Sequence, residues 1–324
     1  MIRIGISAGV KTPPPVFDAA DYIEIKTITP EETAAIRSIT EKPLFFHLQY
    51  TRSGQYLLPT AISFEDLKDD FRAAGHMAIP EQVSLHFGLA ASKISLDSKD
   101  YLAVALEPPL AKEKILNTLE ENLLIVRETF PRSNVLLENL EFIPEHLCRG
   151  AYRYVQEAPF FSRHVNRWRD SGLVDGIVFD IAHALIVSGN HPLYNGLSRE
   201  SPGGHKPYRD PLATDEGYIA ELSKRGSENL LDFFRGYMDQ MPLPLIREIH
   251  ISGIQRAGSG VYVDAHNEIS SLELQALDIL MNHRLFQSRD SVPITLEYSR
   301  DAGRIVPQIQ ILRGFLGSRQ NTDC

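Results

Sequence analysis

Nine residues of this chain have the side chains of metal ligands and fall at comparable places along it: His47, His86, Glu138, Asp180, His183, His250, Asp264, His266 and Glu297. Most sit late in short apolar runs. His47 lies in Leu44-Phe-Phe-His-Leu-Gln-Tyr50, His86 in Val83-Ser-Leu-His-Phe-Gly-Leu89, and Glu138 at the end of Asn134-Val-Leu-Leu-Glu-Asn139. Asp180 and His183 close Ile177-Val-Phe-Asp-Ile-Ala-His183, His250 lies in Arg247-Glu-Ile-His-Ile-Ser-Gly253, and Glu297 in Pro293-Ile-Thr-Leu-Glu-Tyr298. Any one of them alone reads best as a buried polar group satisfied by backbone. Five imidazoles and four carboxylates converging on one place would bury more charge than a fold tolerates unless a multivalent cation compensates it. Neutral imidazole with ionised carboxylate is the ligand set of zinc, iron or manganese, and the lack of thiolates argues against a structural zinc cage. Nine candidates exceed what one ion with an open position can use, so two or three ions are expected. The spacings Asp180-x-x-His183 and Asp264-x-His266 let one backbone segment serve two neighbouring ions, and Glu138, central in the strand order, is the expected bridge.

The elements that would position these groups are eight β-rich runs, at residues 2–7, 22–26, 44–50, 83–89, 134–140, 176–182, 247–253 and 293–298. Eight strands with helices between them close an α/β barrel, the (β/α)8 or TIM barrel, whose strand C-termini all open on one face. Helix signals fill the gaps. Thr29-Pro-Glu-Glu32 and Ser63-Phe-Glu-Asp66 have the capping-box pattern, and Ile115, Leu116, Leu119, Leu123 and Val126 make one apolar face over residues 112–130. Leu230, Leu231, Phe234 and Met238 do the same near 227–240. The stretch at about 187–226, rich in Gly, Pro, Ser and Asn, breaks the rhythm and reads as a cover segment or a surface excursion in equal measure. Tyr194, His205, Lys206, Tyr208 and Arg209 would let it close over a ligand. Deleting 198–212 is expected to spare metal content and cost activity. The domain reading is one barrel over 1–315 with that insert, then a tail at 316–324. His76, His146, His164, His191, His205 and His283 fall on expected helices or loops and are read as solvated.

Composition limits the partners. With 324 residues, 43% of them hydrophobic and 23% charged, the chain is long enough for one large barrel and ordinary for a soluble globular protein. The balance of 33 basic to 42 acidic residues supplies no field that would draw it to nucleic acid or anionic membrane. Two cysteines, Cys148 and Cys324, are too few for a disulfide framework. The opening Met1-Ile-Arg-Ile-Gly-Ile-Ser7 reaches Pro13-Pro-Pro15 without a long apolar stretch, so a cytoplasmic protein without membrane association is expected.

The ligand order resembles the three-metal constellation of the xylose isomerase-like and endonuclease IV-like barrels. The words around it, Leu137-Glu-Asn-Leu140, Val187-Ser-Gly-Asn190, His250-Ile-Ser-Gly253 with Asp264-Ala-His266, and Leu296-Glu-Tyr-Ser-Arg-Asp301, more closely resemble the DUF692 family, the multinuclear non-heme iron-dependent oxidative enzymes. The resemblance implies that His47, His86 and Glu138 hold a first ion, that Glu138, Asp180, His250 and Glu297 hold a second and form the catalytic centre, and that His183, Asp264 and His266 hold a third. It implies two or three iron ions, with zinc or manganese as alternatives. It also implies an O2-using oxidation of Cys or another residue of a ribosomally synthesised peptide, often with a peptide-presenting partner protein. In such an enzyme the substrate thiolate and O2 would each meet one iron, and hydrogen would leave the substrate's β-carbon. Many members have Asn at the position of His183, so His183 brings the third site nearer to the phosphodiesterase pattern.

Asn139, Ser252, Arg300 and Asp301 are candidates for orienting ligands or substrate, each equally readable as a strand-end hydrogen bonder. The competing functions are a zinc-dependent phosphodiesterase of the endonuclease IV type, in which clustered metals generate hydroxide, a metal-dependent sugar isomerase or epimerase, and a barrel using metal only for stability. A net charge of -9 disfavours the first on duplex DNA, an isomerase does not require a third ion, and a structural role requires a closed site.

Overall fold

In the computed structural model, described for residues 2–97, 102–154, 157–195, 229–286, 292–298 and 300–320, the strands are β1 (Ile4–Ser7), β2 (Tyr22–Thr27), β3 (Leu44–Tyr50), β4 (Gln82–His86), β5 (Ile94–Asp97), β6 (Leu102–Ala105), β7 (Asn134–Glu138), β8 (Gly176–Asp180), β9 (Ile246–Ile251), β10 (Gly253–Arg256), β11 (Tyr262–Asn267) and β12 (Ile294–Leu296). Eight of them close a barrel in the order β1-β2-β3-β4-β7-β8-β9-β12, with parallel pairing at every seam. These are the eight expected runs, each within a few residues of its expected limits, and helices lie between them: the fold is a (β/α)8 TIM barrel.

Two antiparallel hairpins, β5-β6 and β10-β11, extend the barrel beyond the β4 and β9 ends. The second carries Asp264 and His266. Residues 264–266 are therefore strand, where a loop is expected, and His266 adopts φ 43, in the left-handed region.

Alternation decides which side chains enter the barrel. On β2 the inward set is Tyr22, Glu24 and Lys26; on β9 it is Glu248 and His250; on β12 it is Thr295, followed by Glu297. Register lays them side by side, His86 opposite Glu138 and Asp180 and Thr295 each opposite His250. Toward the N-terminal end the Tyr22 ring stacks on Phe45 at 4.1 Å. It lies across Gly5, where a Cβ would come within 2.2 Å of it, so this β1 position has room for no side chain.

Helix Pro30–Ile39 begins as its sequence predicts, the Thr29 side chain accepting from Glu32 N. Ser63 behaves differently: a 3-10 turn, Glu65–Leu67, comes first, and the α-helix runs Lys68–Ala78. The true capping box is Ser270 with Glu273, at the head of Ser271–Met281. Lys112–Thr129 and Leu230–Met238 match the two apolar faces.

Helix Ile181–Asn190 is buried at every residue, so it has no polar face for a periodicity to reveal, and the expected irregular stretch from 187 is helical at its start. His191 is fully buried against Phe142 and Tyr194 packs on Tyr237, so both are core rather than cover. His164 is also buried. His205, Lys206, Tyr208, Arg209 and the rest of the cover segment lie outside the described residues. The last helix runs Ala302–Gln320 and buries Leu316, so the chain stays helical past the expected boundary at 315. Of the cysteines, Cys148 is free and buried; Cys324 lies outside the described residues. Among the described residues no helix is long and apolar enough to cross a membrane.

Candidate metal centre

Glu138 is at the hub. Its Oε2 lies 3.5 Å from His47 Nδ1, 3.7 Å from His86 Nε2 and 3.5 Å from His250 Nδ1, and its Oε1 lies 3.5 Å from His183 Nδ1. His250 Nδ1 is also 3.4 Å from Glu297 Oε1. Beside a compact set of Glu24, Glu248 and His250 below it, two such sets share Glu138: His47 with His86 and Glu138, and Glu138 with Asp180, His250 and Glu297; within each, ligand atoms lie within 4.8 Å of one another, close enough to hold a metal ion. All six residues of the two sets that share Glu138 are buried, none more than 5% exposed.

The third expected set is looser. His183 Nε2 and His266 Nε2 lie 3.6 and 3.2 Å from Asp264 Oδ2, but these three do not form a set of the same compactness. Glu141, which sequence reasoning missed, joins them with Oε2 at 3.3 Å from His183 Nε2.

Neighbouring groups set the orientation of these side chains. Asp180 caps the helix that follows it, its Oδ1 accepting from His183 N at 2.6 Å. Asn139 clasps the Asp180 backbone, donating to its carbonyl at 3.1 Å and accepting from its N–H at 2.9 Å. The Asn139 carbonyl lies 2.8 Å from His183 Nδ1; with a proton on that nitrogen, Nε2 is the one left for an ion. Ser252 Oγ donates to Asp264 Oδ1 at 3.1 Å. Arg300 Nε donates to Ala265 O at 2.8 Å and so ties down the Asp264–His266 segment. Asp301 is exposed and accepts from Gly303 N at 2.9 Å; it caps the last helix and has no contact with the centre.

Several buried atoms here have no hydrogen-bond partner: both Glu138 oxygens, Asp180 Oδ2, His47 Nε2 and both His250 nitrogens. Leaving a buried donor or acceptor unmade costs about 1–3 kcal/mol, more when it is charged. A cluster of such atoms, all of ligand type, fits one or more cations.

The titration behaviour without an ion points the same way. Burial works against ionised Glu138, yet His250, His86 and His47 hold its carboxyl far below the usual range. Burial raises Asp180 to about 7 against the pull of His183. It lowers His86 to about 4 despite Glu138. For His250 burial also favours the neutral ring, but Glu24, Glu138 and Glu297 overcome it and push the pKa well up. Neighbouring groups are thus driven to opposite protonation states, a mark of functional sites.

Sequence reasoning also missed Glu24, Lys26, Tyr56 and Glu248. Lys26 Nζ is 2.5 Å from Glu297 Oε1, Tyr56 OH is 2.5 Å from His86 Nδ1, and His250 Nε2 is 3.0 Å from Glu24 Oε2. Strict alternation on β2 was the available signal for Glu24 and Lys26. The centre opens on a cavity of about 280 Å³ walled by Tyr50, Tyr56, Tyr152, Leu89, Leu140 and Glu141, with His183, Asp264, His266 and Glu297 at its polar end. A second cavity of about 440 Å³, lined by Ser7, Lys11, Thr12 and Lys26 among others, shares Tyr50, His266 and Glu297 with it.

No protein-family model matches the chain, and no curated protein matches it. Solved structures do. Endonuclease IV from Thermus thermophilus is similar at a TM-score of 0.55 and 14% identity, over 98% of this chain and 99% of that one. An AP endonuclease, family 2, from Brucella melitensis has a TM-score of 0.44 and 12% identity over 93% and 95%, and a GH10 xylanase from Thermobacillus composti 0.42 and 12% over 92% and 84%. The first supports the barrel architecture; identities this low carry the fold alone.

Proposed function

We propose that the chain is a multinuclear iron-dependent oxidative enzyme that uses O2 to modify a residue, Cys in the first instance, of a ribosomally synthesised peptide, with a peptide-presenting partner protein. The observation that carries the metal part is the set of buried, unpartnered carboxylate and imidazole atoms around Glu138. The iron and peptide parts rest on the resemblance of the flanking sequence words. Bound iron would supply the redox couple and a place for both thiolate and O2.

His47, His86 and Glu138 would hold one ion, and Glu138, Asp180, His250 and Glu297 another, with the Glu138 carboxylate shared between them. Asn139 keeps Asp180 in place while Asp180 caps its helix. Lys26 neutralises part of the charge on Glu297 and fixes its orientation. The walls of Tyr50, Tyr56, Tyr152 and Leu140 keep water from the reacting side chain and leave room for an apolar or thiol-bearing residue. His183, Asp264 and His266, with Glu141 beside them, are the place for a third ion.

The test is O2 consumption by anaerobically iron-loaded protein given a Cys-containing peptide, with mass spectrometry of the peptide. Peptide-dependent uptake with a mass change is the expected result. Zinc-only protein that stays inactive after iron loading overturns the oxidative reading.

A second reading, a zinc-dependent phosphodiesterase of the endonuclease IV type, has one observation in its favour: His183 offers Nε2 toward Asp264 beside His266. Clear nicking of abasic-site DNA by zinc-loaded protein would promote it.

A further inference from the structure

Glu24 takes no part in the two ligand sets that share Glu138, though it groups with Glu248 and His250, and its placement is specific. It lies on β2, fully buried inside the barrel, one inward step below Lys26 and one above Tyr22. Neither of its oxygens has a hydrogen-bond partner, and its close ionic neighbour is His250 Nε2, 3.0 Å from Oε2. The other nitrogen of the same ring, Nδ1, faces Glu138 Oε2 at 3.5 Å and Glu297 Oε1 at 3.4 Å. His250 thus stands between a carboxylate below and the candidate metal centre above, one nitrogen toward each.

Glu248 also approaches Nε2, at 3.5 Å, but its oxygens are already engaged. Thr295 Oγ1 donates to Oε1 at 2.6 Å, Gln82 Nε2 to Oε2 at 3.1 Å, and Tyr22 OH reaches Oε1 at 3.4 Å. Glu24 has nothing comparable, so of the two carboxylates it has acceptor capacity left for the imidazole.

We infer that Glu24 is a positioning residue for the metal centre: its carboxylate takes the Nε2–H of His250, which fixes the ring's tautomer and presents Nδ1 to the ion shared with Glu138, Asp180 and Glu297. A carboxylate behind a metal-bound imidazole orients the ring and raises its basicity as a ligand. A small rotation of the ring or carboxylate turns the present 3.0 Å contact into an aligned hydrogen bond. The inference rests on the metal-binding part of the proposed function, and on no particular metal or reaction.

The probe is Zn2+ alone, added to the full-length protein carrying 15N-labelled histidine, with NMR reading which ring nitrogen of each histidine is protonated and which coordinates. Wild type is expected to show His250 protonated at Nε2 and coordinated through Nδ1. Glu24→Gln is expected to lose one ion about 10–100-fold more readily to a chelator while the remaining ions hold as before and the metal-free fold is unchanged by circular dichroism. Glu24→Asp, whose shorter arm withdraws from the ring, is expected to fall on the side of Glu24→Gln. Glu248→Gln should leave the Nε2–H signal in place.

Coordination of His250 through Nε2, or an unchanged chelator profile in Glu24→Gln, overturns the inference and leaves the metal centre standing. An extra ion lost with Glu24→Gln while His250 still binds its first ion overturns it too, because Glu24, Glu248 and His250 would then be ligands of their own site. Wild type that takes up no Zn2+ and no other divalent cation overturns both the inference and the metal reading beneath it.

Discussion

Two carboxylates inside the same barrel, Glu138 and Glu248, are equally buried and differently provided for. Glu248 sits in the lower layer, where Thr295, Gln82 and Tyr22 give it donors on both oxygens and Tyr22 and Thr295 bond each other at 2.7 Å. Glu138 sits in the layer above, ringed by His47, His86, His183 and His250, with neither oxygen hydrogen-bonded. Burial is the same, so burial does not mark the functional group. Unfilled acceptor capacity among other ligand-type atoms does, because a closed hydrogen-bond network is complete without a cation.

The sharpest way to break this contrast is to neutralise each carboxylate in turn. Glu138→Gln should remove a ligand common to two ions and lower turnover by more than about 100-fold, since even partners behind the ligands are worth about 10–100-fold; metal analysis and steady-state rates check it. A variant that keeps its metal and its rate would put Glu138 in the same class as Glu248.

Metal removal comes next. If the upper layer holds its ions in the native state only, chelation should cost about 4 kcal/mol of stability relative to protein in ion at a thousandfold excess over Kd, read from urea denaturation. Equal midpoints with and without chelator would mean that the upper layer needs no cation.

The pH dependence should then change direction with metal. In the metal-free protein burial raises Glu24 and Asp180 to about 7. For His250 burial lowers the pKa, but Glu24, Glu138 and Glu297 outweigh it, and the ring ends well above its usual value. These groups bind more protons folded than unfolded, so metal-free stability falls as pH rises, from about pH 4 to 7 for the two carboxyls and from about pH 6.5 upward for His250, and is still falling between about pH 6 and 8. Ion binding needs the same groups deprotonated, so metal-loaded protein should gain stability over that interval. Denaturation midpoints at about pH 6 and 8, with and without metal, decide it; slopes of the same sign would contradict the account.

The smallest effects belong to the lower layer. Glu248→Gln should cost about 1–3 kcal/mol, and Tyr22→Phe about 1 kcal/mol, by loss of buried hydrogen bonds, each with unchanged metal content.

The barrel was legible because each strand is a short apolar run punctuated by helix signals, and the candidate ligands because they fall at comparable places in those runs. That His47, His86, Glu138, Asp180, His250 and Glu297 come together at one end of the barrel could be read from position alone. Glu24 and Glu248 were harder to read: alternation puts them on the same face as Lys26 and His250, but a lone carboxylate below the ligand layer looks like any outward-facing polar residue until register shows which face points inward. Helix Ile181–Asn190 escaped notice because it is buried all round, and Asp301 was misleading because a helix cap and a site carboxylate look alike in sequence. Glu141 follows Glu138 by three residues, beyond the end of β7, and only the fold brings it to His183.

Elemental analysis of the chain purified with and without O2, set beside Glu138→Gln treated alike, tests the central claim most directly. The account predicts at least two metal ions per wild-type chain, iron among them when oxygen is excluded, and a loss of metal in the variant. A wild-type chain that is metal-free under both conditions and takes up none on addition would contradict it.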